Sequence, residues 1–135
     1  MKNIFFESME ECQKGEGFTL LEALDNLQYN ADGLVPVITQ DASSMKILMM
    51  AWMNRESIEK SLATKCMTYW SRSRQSFWIK GETSGNTQLL KQMSIDCDGD
   101  SILCLVEQKG GACHTGRPNC FYWDVNSVEN KVVMS

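Results

Sequence analysis

Asp96-Cys97-Asp98-Gly99-Asp100 places three carboxylates, a thiol and a glycine in five consecutive residues. So much like charge in a short run is unfavourable unless a cation sits among it. Whatever the chain folds into must hold this segment where a cation can reach it. Carboxylate oxygens suit Mg²⁺ or Ca²⁺, and a thiolate suits Zn²⁺. Read as an extended segment, Asp96, Asp98 and Asp100 project from one face and Cys97 from the other. One strand would then serve a hard cation on one side and a soft cation on the other.

Cys97 needs partners, and Cys113 and Cys120 offer them on a segment containing Gly116 and Pro118. Three thiolates leave the fourth tetrahedral position open, which distinguishes a catalytic zinc from a structural one. Water there has its pKa lowered towards about 7, giving a hydroxide nucleophile at neutral pH. His114, the only histidine, is either a fourth ligand, which makes the site structural, or a general acid or base beside the metal. An EF-hand counted from Asp96 fits at Asp98, Asp100 and Glu107. It fails at Ser101, where the turn needs glycine, and at the strand-like run Ile102–Val106, where a helix should follow. A zinc knuckle needs a close cysteine pair, and the spacings here are too wide.

At 135 residues the chain can bury roughly two-thirds of its unfolded surface and hold its own core. Residues 1–17 are polar and Glu-rich and read as a loose N-terminal arm, with 18–135 as the single domain. Apolar and charged fractions of 43% and 22% are those of a soluble globular protein. A formal net charge of −4 disfavours nucleic acid and anionic membrane as partners. No secretory signal is expected, and the longest apolar run, Ile47–Met53, is far short of a membrane span. The expected compartment is the cytoplasm, where the six cysteines stay reduced. Cys12, Cys66 and Cys104 read as small buried or incidental thiols.

Thr19 and Glu22 have capping-box spacing, which predicts a helix over 20–29. Leu34–Thr39, with Pro36 marking an edge strand or strand start, and the buried run Lys46–Trp52 predict a hairpin. Asn54 caps a helix over 55–64. In Thr68–Arg74 aromatic and polar residues alternate, so that Trp70, Arg72 and Arg74 share a face of an extended chain. A loop follows over 81–86, including Ser84. Two arginines beside a Gly-Ser-Asn loop suggest an anion site. Gln88–Asp96 alternates apolar and polar residues except at Leu90 and Lys91. Ser101–Glu107 is another strand, and from Tyr122 the chain reads as one last strand with a frayed tail.

Several segments stand in a characteristic order: Gly33-Leu34-Val35-Pro36, Ala51-Trp52-Met53-Asn54, Tyr69-Trp70-Ser71-Arg72-Ser73-Arg74, Trp78-Ile79-Lys80-Gly81-Glu82-Thr83-Ser84-Gly85, Asp96-Cys97-Asp98-Gly99-Asp100 and Cys113-His114-Thr115-Gly116. In these the sequence resembles the phosphoribosyl-AMP cyclohydrolase family of histidine biosynthesis, over the span from Gly33 to Trp123. The resemblance implies hydrolysis of the N1–C6 bond of the adenine ring of 1-(5-phosphoribosyl)-AMP to the formimino-aminoimidazole carboxamide ribotide. It implies Cys97, Cys113 and Cys120 as zinc ligands, shared between the subunits of a homodimer, and Asp96, Asp98 and Asp100 as Mg²⁺ ligands. His114 would move protons, Arg72, Arg74 and Ser84 would meet substrate phosphate, and Trp70 would stack on a ring. The expected fold is mainly β (α+β): a small antiparallel, barrel-like sheet with two or three flanking helices in an intertwined homodimer. A C-terminal pyrophosphohydrolase domain, present in some members, is expected to be absent. The competing class is a non-catalytic Ca²⁺- or Zn²⁺-binding interaction protein.

Overall fold

A computed structural model describes residues 3–135. Residues 1 and 2 of the expected arm lie outside the described residues. The start of the described arm, Asn3 to Phe6, is fastened to the domain, while residues 10–17 are exposed. Asn3 caps α1 (Ile4–Ser8) by accepting from the Phe6 amide at 3.2 Å, and donates to the Asn26 carbonyl at 2.6 Å. Phe6 is buried, and its ring meets Phe5 and Phe18 edge to face at centroid distances of 5.4 and 5.7 Å. Burying one such ring contributes about 2 kcal/mol, which anchors the start of the segment.

The expected Thr19 cap forms, with its hydroxyl accepting from the Glu22 amide at 3.1 Å. The helix it starts, α2 (Leu20–Asn26), is shorter than 20–29 because Leu27 turns to extended ψ. Ala23 and Leu24 face the core. Strands β1 (Val35–Asp41) and β2 (Ile47–Met53) form the expected antiparallel hairpin. Asp41 closes it by accepting from the Ser43 and Ser44 amides at 3.2 and 2.8 Å. Asn54 then caps α3 (Arg55–Thr64), accepting from the Ser57 amide while the Ser57 hydroxyl accepts from the Asn54 amide.

Beyond this come β3 (Thr68–Ser71), β4 (Ser76–Ile79), β5 (Gln88–Ile95), β6 (Ile102–Gln108), β7 (Trp123–Asn126) and β8 (Lys131–Met134). The main sheet has the order β2-β1-β6-β5, and β1 pairs with β6 in parallel. Two expectations are corrected here. The sheet is mixed rather than antiparallel, and it does not close into a barrel. β3-β4 and β7-β8 are separate two-stranded sheets, and a single bridge, Cys66 with Leu89, ties the segment before β3 to β5. Pro36 marks a strand start, as expected, but on an interior strand. It faces Trp52 on β2, and pairing with β6 begins only at Val37, so the missing N–H costs no ladder bond there. β2 is an edge of this sheet, yet Leu48, Met49, Ala51 and Met53 are buried as expected and only Ile47 and Met50 are exposed.

Lys91, where the alternation breaks, is the extra residue of a bulge: Leu90 faces Val106 and Gln92 already faces Leu105. Val35, Val37, Leu48, Ala51, Met53, Ile102, Cys104 and Val106 fill the core with Ile58, Met67 and Tyr69. The opposite face carries Met50, Ile38 and Leu103 in one cross-strand row, all exposed. The expected frayed tail is a second strand, β8, paired with β7. Of the incidental thiols Cys104 is buried, whereas Cys12 and Cys66 are exposed. Among the described residues no helix is long and apolar enough to cross a membrane.

Candidate metal and substrate site

Residues 96–100 form the turn between β5 and β6, not a strand. The Asp96 amide donates to the Ser101 carbonyl at 3.1 Å, and the Gly99 amide to the Asp96 carbonyl at 3.1 Å. Asp96 Oδ1 accepts from the amides of Asp100 and Ser101 at 2.9 and 3.3 Å. Gly99 has φ +67°, and a Cβ there would run into the Phe6 ring. Its carbonyl accepts from the Gln28 amide at 2.7 Å. The expected two faces therefore do not exist. The turn gathers Asp96, Cys97 and Asp98 on one side, with ligand atoms within 4.8 Å of one another.

The turn is electrostatically at odds with itself. A hydrogen bond shared with Asp96, together with burial, holds the Asp100 carboxyl above the ordinary range. Burial pushes Asp96 up, but hydrogen bonds from Asp100 and Ser101 outweigh it and hold Asp96 low. The charge of Asp98, then burial and the charge of Asp96, push the Cys97 thiol up. A bound cation removes each of these penalties, so the donor set fits a metal.

The thiol loop is built by its backbone. Gly111 lies against the carbonyls of Gly116 and Arg117, where a Cβ would sit 2.8 Å from the Arg117 oxygen. The Ala112 amide donates to the Pro118 carbonyl at 3.2 Å and the Cys113 amide to that of Arg117 at 3.1 Å. The Cys120 amide docks the loop on the Leu48 carbonyl of β2 at 2.8 Å. This closure brings the Cys113 and Cys120 thiols near enough for each to act on the other's ionisation. The Thr115 hydroxyl donates to Cys113 Sγ at 3.1 Å and draws that thiol below its ordinary value. Burial, and then the charge of Cys113, push Cys120 up, while Lys80 opposes them. Two soft donors side by side fit zinc.

Cys97 is not with them. The acidic turn and the thiol loop leave opposite ends of β6, whose seven residues span roughly 20 Å. Among the described residues, the only group of three potential ligands that converges is Asp96, Cys97 and Asp98.

A cleft of about 450 Å³ adjoins the thiol loop and is lined by Arg74, Trp78, Lys80, Ser84, Cys113 and His114, among others. Arg72 and Arg74 sit in the turn joining β3 to β4 and not on an extended strand, so they diverge. Arg72 and Trp70 line a neighbouring cavity of about 320 Å³ with Asp32 and Asn54, and the Arg72 guanidinium stands 4.8 Å from the Trp52 ring centroid. The structure thus unites Arg74, Ser84, Cys113 and His114 and separates them from Trp70, Arg72 and the acidic turn. Sequence reasoning assigned no role to Thr115 or Lys80. The signal for Lys80 was available, since it is the one cation in the Trp78–Gly85 segment. Its Nζ donates to the Ala112 carbonyl at 2.5 Å. Burial lowers its pKa, and the charges of Cys120 and Cys113 oppose that shift.

The family model for phosphoribosyl-AMP cyclohydrolase matches residues 49–122, which include the whole of both ligand segments. A phosphoribosyl-AMP cyclohydrolase of Alcanivorax borkumensis is 54% identical over 125 residues, covering 91% of this chain and 88% of the relative. One from Hydrogenovibrio crunogenus is 46% identical over 132 residues, 98% of this chain and 90% of the relative. One from Thioalkalivibrio sulfidiphilus is 59% identical over 100 residues, 73% of this chain and 76% of the relative. With the motifs in order and similarity running nearly end to end, the chain belongs to the phosphoribosyl-AMP cyclohydrolase family.

Proposed function

We propose that this chain opens the adenine ring of 1-(5-phosphoribosyl)-AMP at the N1–C6 bond, giving the formimino-aminoimidazole carboxamide ribotide, as a cytoplasmic homodimer in histidine biosynthesis. The observation that carries the reading is Cys113 beside His114 on the wall of the cleft, on the same loop as Cys120. Cys113 and Cys120 would hold zinc together with Cys97 of a second copy, because β6 keeps each chain's own Cys97 away. Bound there, zinc supplies the Lewis acidity that makes water nucleophilic at neutral pH. Asp96, Asp98 and Asp100 would hold Mg²⁺ through hard oxygen donors.

The remaining steps belong to side chains. His114 takes a proton from the attacking water and returns one to N1 as the C6–N1 bond breaks. Arg74 and Ser84 bind one phosphate of the substrate in the cleft, and Arg72 binds the other in the neighbouring cavity, with Trp70 against the ring system. Two arginine-bearing cavities suit a substrate with two phosphate groups. The exposed row Met50, Ile38 and Leu103 supports burial against a second copy.

Sharing across subunits has a direct test. Cys97→Ala and Cys113→Ala homodimers should each lose zinc and turnover. When the two are mixed and allowed to exchange subunits, half the dimers carry one intact site, and about a quarter of wild-type activity should return. No recovery in demonstrably mixed dimers would sink the shared zinc.

A further inference from the structure

Lys80 is a buried lysine without a carboxylate. The residue is 9% exposed, and lysines are almost never buried unless paired. Among the described residues no ion pair includes it. Its neighbours are the Ala112 carbonyl, 2.5 Å from Nζ, and the Trp78 ring at 5.3 Å; Cys113, next to Ala112, lines the same cleft, and the charges of Cys120 and Cys113 favour the ammonium. The backbone that carries it is also fixed. The Lys80 amide donates to the Met67 carbonyl at 2.9 Å. The next residue, Gly81, has φ +83°, and a Cβ there would meet the Asn86 and Thr87 backbone at 2.6 Å. A flexible surface lysine would need none of this.

We propose that Lys80 is a positioning residue of the metal centre: its ammonium is the fixed counter-charge to the Cys113 and Cys120 thiolates, and its bond to the Ala112 carbonyl ties the thiol loop to β4. This rests on the zinc reading above. Three thiolates around Zn²⁺ carry one net negative charge, and one buried ammonium cancels it. An isolated buried cation is costly, and so is a pair of adjacent thiolates. Each relieves the other, and the pair becomes ready for metal. Groups just outside a metal's ligand set typically change its affinity about 10- to 100-fold when removed.

The test is zinc affinity of the full dimeric protein, by competition with a chromophoric chelator, for wild type, Lys80→Gln, Lys80→Met and Lys80→Arg. Glutamine keeps a hydrogen-bond donor without charge, and arginine keeps the charge. Lys80→Gln and Lys80→Met should bind zinc about 10- to 100-fold more weakly, and Lys80→Arg should recover most of the loss. With Co²⁺ in place of zinc, the thiolate-to-metal charge-transfer bands should shift in Lys80→Gln, a change that a packing role would not produce. If Lys80→Met fails to fold, the Gln–Arg contrast still decides. Wild-type affinity in Lys80→Gln, or equal weakness in Lys80→Arg and Lys80→Gln, would overturn the counter-charge role. A wild-type protein that binds no zinc would overturn the zinc reading itself.

Discussion

The acidic turn 96–100 and the thiol loop 110–120 both offer metal ligands, and they are stabilised by opposite means. The turn concentrates negative charge and depends on groups from outside it: the Phe6 ring packed on Gly99 and the Gln28 amide on the Gly99 carbonyl. The loop supplies its own closure through backbone bonds and the close approach of Gly111 to Gly116 and Arg117, and takes its compensating charge from Lys80. A carboxylate cluster can be held only loosely before its cation arrives, because proximity raises its energy. A thiol pair costs little while neutral and can be prepared in advance.

Three experiments put that contrast at risk. Gly111→Ala should have the largest effect, because its methyl group meets two carbonyls that cannot retreat without opening the loop. Zinc should be lost with turnover, and stability should fall by about 2–3 kcal/mol. Zinc retention with normal stability would mean that the loop is not backbone-built. Phe6→Ala should remove the brace from the turn. Denaturant unfolding should report a loss of about 3 kcal/mol, and the Mg²⁺ concentration for half-maximal activity should rise while zinc content holds. Equal loss of both metals would erase the distinction between the regions. The smallest effect is expected from Asp98→Asn. Asp98 is the main cause of the raised Cys97 thiol, and only the thiolate is alkylated. In metal-free protein the Cys97 alkylation rate should rise with pH over a higher range than that of an unperturbed thiol. Asp98→Asn should move that rise to lower pH. An unchanged profile would mean that the turn's charges do not act on Cys97.

Much of this was legible where the cause is local. Asn54 starts a helix at Arg55 because its side chain answers an amide three residues on, and Thr19 does the same at Leu20. The broken alternation at Lys91 marks a bulge. Misreadings arose where distant residues decide. Asp-Cys-Asp-Gly-Asp looks like a period-2 strand, but Gly99 takes a left-handed conformation under a ring ninety-odd positions away in sequence. Phe5, Phe6 and Phe18 are scattered among acidic residues, so their cluster left no periodic trace. Parallel pairing of β1 with β6 has no local signal at all. Cys113, His114, Ser84 and Arg74 line one cleft and Arg72 another, because the turn at 72–75 points the two arginines into different cavities, and no spacing in the sequence announces that division.

The parallel pairing of β1 and β6 also sets an order of events during folding. Val37 meets Ile102 only after the chain between them has closed on itself, and such non-local pairing is slow to form. Both ligand segments flank β6, one at each end. Neither can be positioned until that strand is seated, and Cys120 then anchors to β2 across the finished sheet. On a growing chain, the two segments therefore reach their places only after residues beyond Cys120 have been made, so that any cation they bind would meet a domain already folded rather than recruit one around itself.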